Sequence, residues 1–167
     1  MEQVRSFVAI EMPDHARDRL LAIQRQLRTV AEQGVKWVDP AGIHLTLKFL
    51  GNVPAAKLPE IERALRNSVP AYLPLHLVLG DLGAFPTVRS PRVIWMGLGG
   101  DMDRLMALQG TVEGALERQG FAREAKPFAP HLTLGRVRET ISPEERRRLS
   151  ETIVGMGRVG GLAFEVV

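Results

Sequence analysis

Two short stretches of this chain carry the same four side chains. His44-Leu45-Thr46-Leu47 returns as His131-Leu132-Thr133-Leu134, 87 residues later (44 to 131). On a strand, side chains alternate between faces. Each copy then shows one imidazole and one hydroxyl to a common surface and turns two leucines the other way. Imidazole exists in both protonation states near neutral pH, so two of them can divide acid and base work. One takes a proton from an attacking oxygen and the other gives a proton to a leaving oxygen. Each such role contributes on the order of 10²–10⁴ in rate. A hydroxyl beside each imidazole can bond a non-bridging oxygen held between them. A phosphodiester fits that arrangement, being anionic and needing in-line attack and departure.

Two cations follow the repeats. Lys48 comes four residues after His44, and Arg136 comes five after His131. Strict alternation puts Lys48 on the histidine face and Arg136 on the opposite one, unless Gly135 hosts a bulge. Arg92 beside Pro91 is a further candidate phosphate contact, and Phe49 a candidate surface for stacking a base. His15 and His76 receive no role, and Arg146, Arg147 and Arg148 read as a solvated helix face.

Other chemistries lack their residues. There is no cysteine among the 167 residues, so no disulfide, thiolate metal site or cysteine nucleophile. The two histidines have no accompanying carboxylate cluster, and no serine sits in a nucleophile elbow. Neither metal nor cofactor is expected. The N-terminus is too polar for a secretion signal, and no apolar run approaches the length of a membrane span. The chain is expected to work in the cytoplasm, as a monomer. A net charge of +3 suits a polyanionic partner.

The elements around the repeats follow from periodicity. Ser6–Met12 reads as a buried strand. A helix is predicted from Pro13 to Glu32, with Ala16, Leu20, Ile23, Leu27 and Val30 as its apolar stripe and Gly34 as its stop. Val35–Val38 is a short strand, Asp39–Gly42 a turn, and Ile43–Leu50 the first repeat strand, closed by Gly51-Asn52. A second helix covers Ala56–Asn67. Leu75–Leu79 alternates as a strand, Gly80–Pro86 reads as irregular, and Arg92–Gly97 is another strand. A third helix runs from a cap at Asp101 to Gln119 with Leu105, Leu108, Val112 and Leu116 inward. The second repeat strand spans His131–Arg138. Ser142 and Glu145 form a capping box for a last helix, and Leu162, Phe164 and Val166 alternate. Strand–helix–strand–strand–helix occurs in each half. The expected fold is therefore α+β in one domain, residues 1–167. It has two similar lobes, each with one repeat, whose mainly antiparallel sheets flank a central cleft and whose helices pack outside.

These residues resemble a known family. The paired His-Leu-Thr-Leu segments are similar to the H-x-T-x motifs of the 2H phosphoesterase superfamily. Trp37-Val38-Asp39-Pro40, Lys48-Phe49-Leu50-Gly51, Gly83-Ala84-Phe85-Pro86, Pro91-Arg92-Val93-Ile94-Trp95 and Pro127-Phe128-Ala129-Pro130 narrow the resemblance. They match the LigT-like (ThpR) RNA 2′,3′-cyclic phosphodiesterases, also called 2′-5′ RNA ligases. The resemblance implies metal-independent hydrolysis of an RNA 2′,3′-cyclic phosphate end to a 2′-phosphomonoester. It makes His44 the proton donor, His131 the proton acceptor, and Thr46 and Thr133 the phosphate holders. Family members usually continue with further strand beyond a segment like Phe164-Glu165-Val166, whereas this sequence stops at Val167, and the resemblance leaves the edge of that sheet open. Two alternatives stand beside hydrolysis: 2′-5′ RNA ligation by the reverse chemistry, and an RNA-binding module without catalysis.

Overall fold

The computed structural model describes all 167 residues. In chain order the elements are β1 (Gln3–Glu11), α1 (Asp14–Arg28), β2 (Val35–Trp37), β3 (His44–Pro54) and α2 (Leu58–Ser68). They continue with β4 (Leu75–Pro86), β5 (Pro91–Gly100), α3 (Met102–Glu117), β6 (Leu132–Val137), α4 (Pro143–Met156) and β7 (Ala163–Val166). The fold is α+β, as expected, with four helices and two sheets. β1 and β3 make one sheet, and the other has the order β2-β6-β5-β4-β7. Every pairing is antiparallel. The repeats thus lie on different sheets, one of two strands and one of five.

The apolar stripes of the sequence become the core. Leu20, Ile23 and Leu27 of α1 are buried, as are Leu105, Leu108, Val112 and Leu116 of α3. So are all four leucines of the repeats. Each fully enclosed leucine contributes about 1.5–3 kcal/mol relative to exposure. α3 lies against β3 and β4, and α4 against β4 and α1.

Several boundaries differ from the periodicity. α1 ends at Arg28, not Glu32. β3 runs through Gly51 to Pro54, because Gly51 takes φ 70° and lets the strand continue. Gly80–Pro86, expected to be irregular, is the second half of β4. Gly83 there leaves the space that the Trp95 ring fills across the pair. Asp101 does not cap α3 with its side chain, which instead accepts from the His76 N–H at 2.9 Å. Ser142 caps α4 as expected, accepting from the Glu145 N–H at 3.1 Å. The Glu145 carboxylate leaves the box and accepts from the Gly34 N–H at 3.0 Å.

One irregularity occurs twice and shapes the site. On β3, Thr46 pairs with Ala9 and Lys48 with Val8, so Leu47 is an extra, unpaired residue. On β6, Thr133 pairs with Trp95 and Gly135 with Ile94, so Leu134 is extra. The bulge falls on the fourth letter of both repeats. Burial from each histidine through the fifth residue after it runs half-buried, buried, half-buried, buried, buried, exposed, in both copies. The bulge resets the alternation. Phe49 and Arg136, not Lys48, are the equivalent residues that rejoin the histidine face.

Gly135 follows the second bulge and has no room for a side chain. A Cβ there would stand 2.7 Å from Val35 Cγ1 and 2.9 Å from Trp37 Cε3. Gly135→Ala should therefore cost about 1–3 kcal/mol by overpacking, read as a lowered midpoint of thermal unfolding. An unchanged midpoint would mean that the Trp37 ring is free to move aside.

Candidate active site

β3 and β6 deliver their repeats to one cleft of about 810 Å³, lined by His44, Thr46, His131 and Thr133 together. The four sit half-buried. Sequence spacing expected this meeting, and the two separate sheets bring it about.

The histidines have different surroundings. The His131 Nδ1 lies 2.7 Å from the Ala129 carbonyl oxygen. A carbonyl only accepts, so Nδ1 carries the proton. In the neutral ring Nε2 is then the free acceptor. The edge of Phe85 meets this ring at 5.1 Å and 89°. His44 instead lies flat on Phe7, with centroids 4.6 Å apart and planes 16° from parallel. The face of an aromatic ring attracts an imidazolium. Phe7 reaches His44 because β1 places it opposite Phe49, on the histidine face.

The cations separate in the same way. Lys48 is buried, and its Nζ donates to Glu113 Oε1 and Oε2 at 3.1 and 2.9 Å and to the Ala122 oxygen at 2.8 Å. Its charge is spent in the cleft floor rather than offered to a substrate. This corrects the expectation that Lys48 shares the histidine face, and the reason is the bulge at Leu47. Arg136 is exposed and lines the cleft, because the bulge at Leu134 turns it toward Thr133. The bulge that alternation required for Arg136 stands one residue before Gly135. Arg92 is exposed and lies outside the cleft lining, so the structure does not gather it with the others. Phe49 is 68% exposed at the cleft edge.

Sequence reasoning missed Glu113, Phe7, Lys126 and the Ala129 carbonyl. Glu113 also accepts from the Glu124 N–H at 3.3 Å, so the Lys48–Glu113 pair fastens the connection that leads to His131. Its one signal is an acidic residue directly after Val112 in an apolar helix stripe. Lys126 and Phe128, on that connection, line the cleft.

Comparisons with known proteins agree with this geometry. Residues 10–95 match the family model of the LigT-like phosphoesterases. The chain is 35% identical over 151 residues to the RNA 2′,3′-cyclic phosphodiesterase of Methanothermobacter thermautotrophicus, covering 90% of this chain and 79% of that one. A crystal structure of a Thermus thermophilus protein superposes with a TM-score of 0.76 at 27% identity, over 98% of this chain and 84% of the other. E. coli LigT complexed with 3′-AMP superposes with a TM-score of 0.66 at 30% identity, over 84% and 78%.

The buried ion pair makes a stability prediction. Glu113→Ala leaves the Lys48 ammonium enclosed without its partner and should cost about 3–5 kcal/mol in urea unfolding. The double variant Lys48→Met/Glu113→Leu removes both charges and should recover most of that loss. A double variant no more stable than Glu113→Ala would mean that the cost lies in the connection at Ala122 and Glu124, not in the orphaned charge.

Proposed function

Because this chain belongs to the LigT-like phosphoesterase family, we propose that its two histidines divide the proton transfers that open an RNA 2′,3′-cyclic phosphate. The protein is an RNA 2′,3′-cyclic phosphodiesterase, as its relatives are named, and in this reading its product is the 2′-phosphomonoester. The observation that carries the assignment of roles is the His131 tautomer. With Nδ1 donating to Ala129, Nε2 is the acceptor available in a cleft shared with His44.

In this reading His131 Nε2 takes a proton from water as the oxygen attacks phosphorus. The bond from phosphorus to the 3′ oxygen breaks, and the His44 imidazolium supplies the proton that the departing oxygen takes up. One proton enters the base and one leaves the acid, so the pair resets by exchange with solvent. Thr46 and Thr133 hydroxyls donate to the non-bridging oxygens, on which charge grows in the transition state. Arg136 adds a cation on the same face. Phe49 offers an exposed ring to the base beside the cyclic phosphate. Ligation through a 2′-5′ bond would run the same two transfers with a 5′-hydroxyl in place of water: His131 takes the proton of that hydroxyl as it attacks phosphorus, and the 3′ oxygen departs with the proton from His44. Water is far more abundant than RNA 5′ ends, which favours hydrolysis. No helix is long and apolar enough to cross a membrane. A metal-free reaction by a monomer in the cytoplasm completes the proposal.

The test is product analysis on a short RNA with a 2′,3′-cyclic phosphate, in EDTA. Wild type should give only the 2′-phosphate, and His44→Ala and His131→Ala should each lose at least about 10²-fold in rate. Variants that match wild type would remove the histidines from the chemistry, and RNA bound but uncut would favour a binding module. Phe49→Ala should raise KM roughly tenfold with kcat little changed, since stacking one base is worth about 1–3 kcal/mol. An unchanged KM would remove Phe49 from the substrate contacts.

A further inference from the structure

The two bulges share a second feature. Each has its carbonyl held by a glutamine amide, and each glutamine comes from a helix in the other half of the chain. Gln24 of α1 donates from Nε2 to the Leu134 oxygen at 2.9 Å and to the Val38 oxygen at 2.7 Å. Gln109 of α3 donates from Nε2 to the Leu47 oxygen at 3.2 Å. Leu47 and Leu134 are the unpaired residues of the bulges. The two glutamines are 85 residues apart (24 to 109), close to the 87 that separate the bulges (47 to 134). The clamps therefore repeat with the motifs, and they cross.

Gln24 is fully enclosed, and both of its partners are carbonyls, so its amide nitrogen must face them. Its Oε1 is left buried without a hydrogen-bond partner. A purely apolar side chain there would avoid that cost. The Leu134 carbonyl also receives the Val38 N–H at 2.9 Å, so the Gln24 bond is a second one. These observations fit a donor kept to hold a geometry. That geometry is the bulge, which stands between Thr133 and Arg136 in one copy and between Thr46 and Phe49 in the other.

We propose that Gln24 and Gln109 are reciprocal positioning residues: Gln24 sets Thr133 and Arg136 through the Leu134 bulge, and Gln109 sets Thr46 and Phe49 through the Leu47 bulge. Neither glutamine touches the reacting atoms in this scheme. Each helix aligns the phosphate-holding hydroxyl of the opposite half. The proposal rests on the cyclic phosphodiesterase reading for its kinetic test only.

The test uses Gln24→Met and Gln109→Met, which keep volume and remove the donor. Each should lower kcat on the cyclic phosphate RNA roughly tenfold, the equivalent of one hydrogen bond's alignment, with KM within about twofold. Double-mutant cycles then read the crossing. Gln109→Met should be strongly non-additive with Thr46→Ala and additive with Thr133→Ala, and Gln24→Met the reverse. Additivity in all four pairs, or coupling within the same half, overturns the proposal. Gln109 is only half-buried, so its cycle decides the matter if Gln24→Met does not fold. If wild type leaves the RNA intact, the phosphodiesterase reading fails by itself. The crossing is then read from amide hydrogen exchange, where Gln109→Met should speed exchange at 46–49 and spare 133–136. Equal acceleration in both segments overturns it.

Discussion

A strand alternates its side chains without exception unless its pairing is broken, and this cleft depends on breaking it once in each repeat. Without the extra residue at Leu47 and Leu134, the position four after each histidine would face the substrate and the position five after would face the core. With it, a buried lysine and a glycine close the floor, while an aromatic ring and a guanidinium rise to the rim. Gly135 and Lys48 occupy equivalent places and solve the same problem differently. One yields its space to Trp37, and the other fills it with an ion pair to Glu113.

That ion pair sorts the charges of the cleft. Lys48 and Glu113 neutralise each other where water is scarce, and their side chains are 4% and 7% exposed. Through Ala122 and Glu124 the pair also anchors the connection that carries Lys126, Phe128 and the Ala129 carbonyl. The same connection sets the tautomer of His131. A buried charge pair thus fastens the start of the connection whose far end, at Ala129, leaves Nε2 of His131 free. The free cations that remain on the cleft lining, Arg136 and Lys126, stand where an anion can reach them.

The legible parts of the sequence were those governed by local periodicity. The stripe of α3, the turn before β3 and the Ser142 cap depend on neighbours a few residues away. So does the pairing of each histidine with its threonine. The illegible parts depend on partners far along the chain. A bulge is a property of register, and register belongs to two strands at once, so no window around Leu134 reveals that Trp95 and Ile94 skip it. Lys48 shows no sign of burial because Glu113 lies 65 residues away. Gly80–Pro86 reads as loop because Gly83 makes room for the partner strand's Trp95 and Gly80 for the backbone of Gly97, a fact of packing and not of propensity. Gln24 hides inside an apolar stripe, four residues after Leu20, as one polar letter without visible reason.

The crossing of α1 onto β6 and of α3 onto β3 has a bearing on how such a chain can change over time. β2, from the first half, also pairs with β6 from the second. Each half pairs its own motif strand, β1 with β3 and β5 with β6, yet takes the clamp on its bulge from the other half, so neither could drift alone or be exchanged for a foreign copy without loss. Among related chains, position 24 should covary with the segment around 134 rather than with the nearer 47. A doubled ancestor locked in this way would have lost the freedom of its two copies to evolve apart.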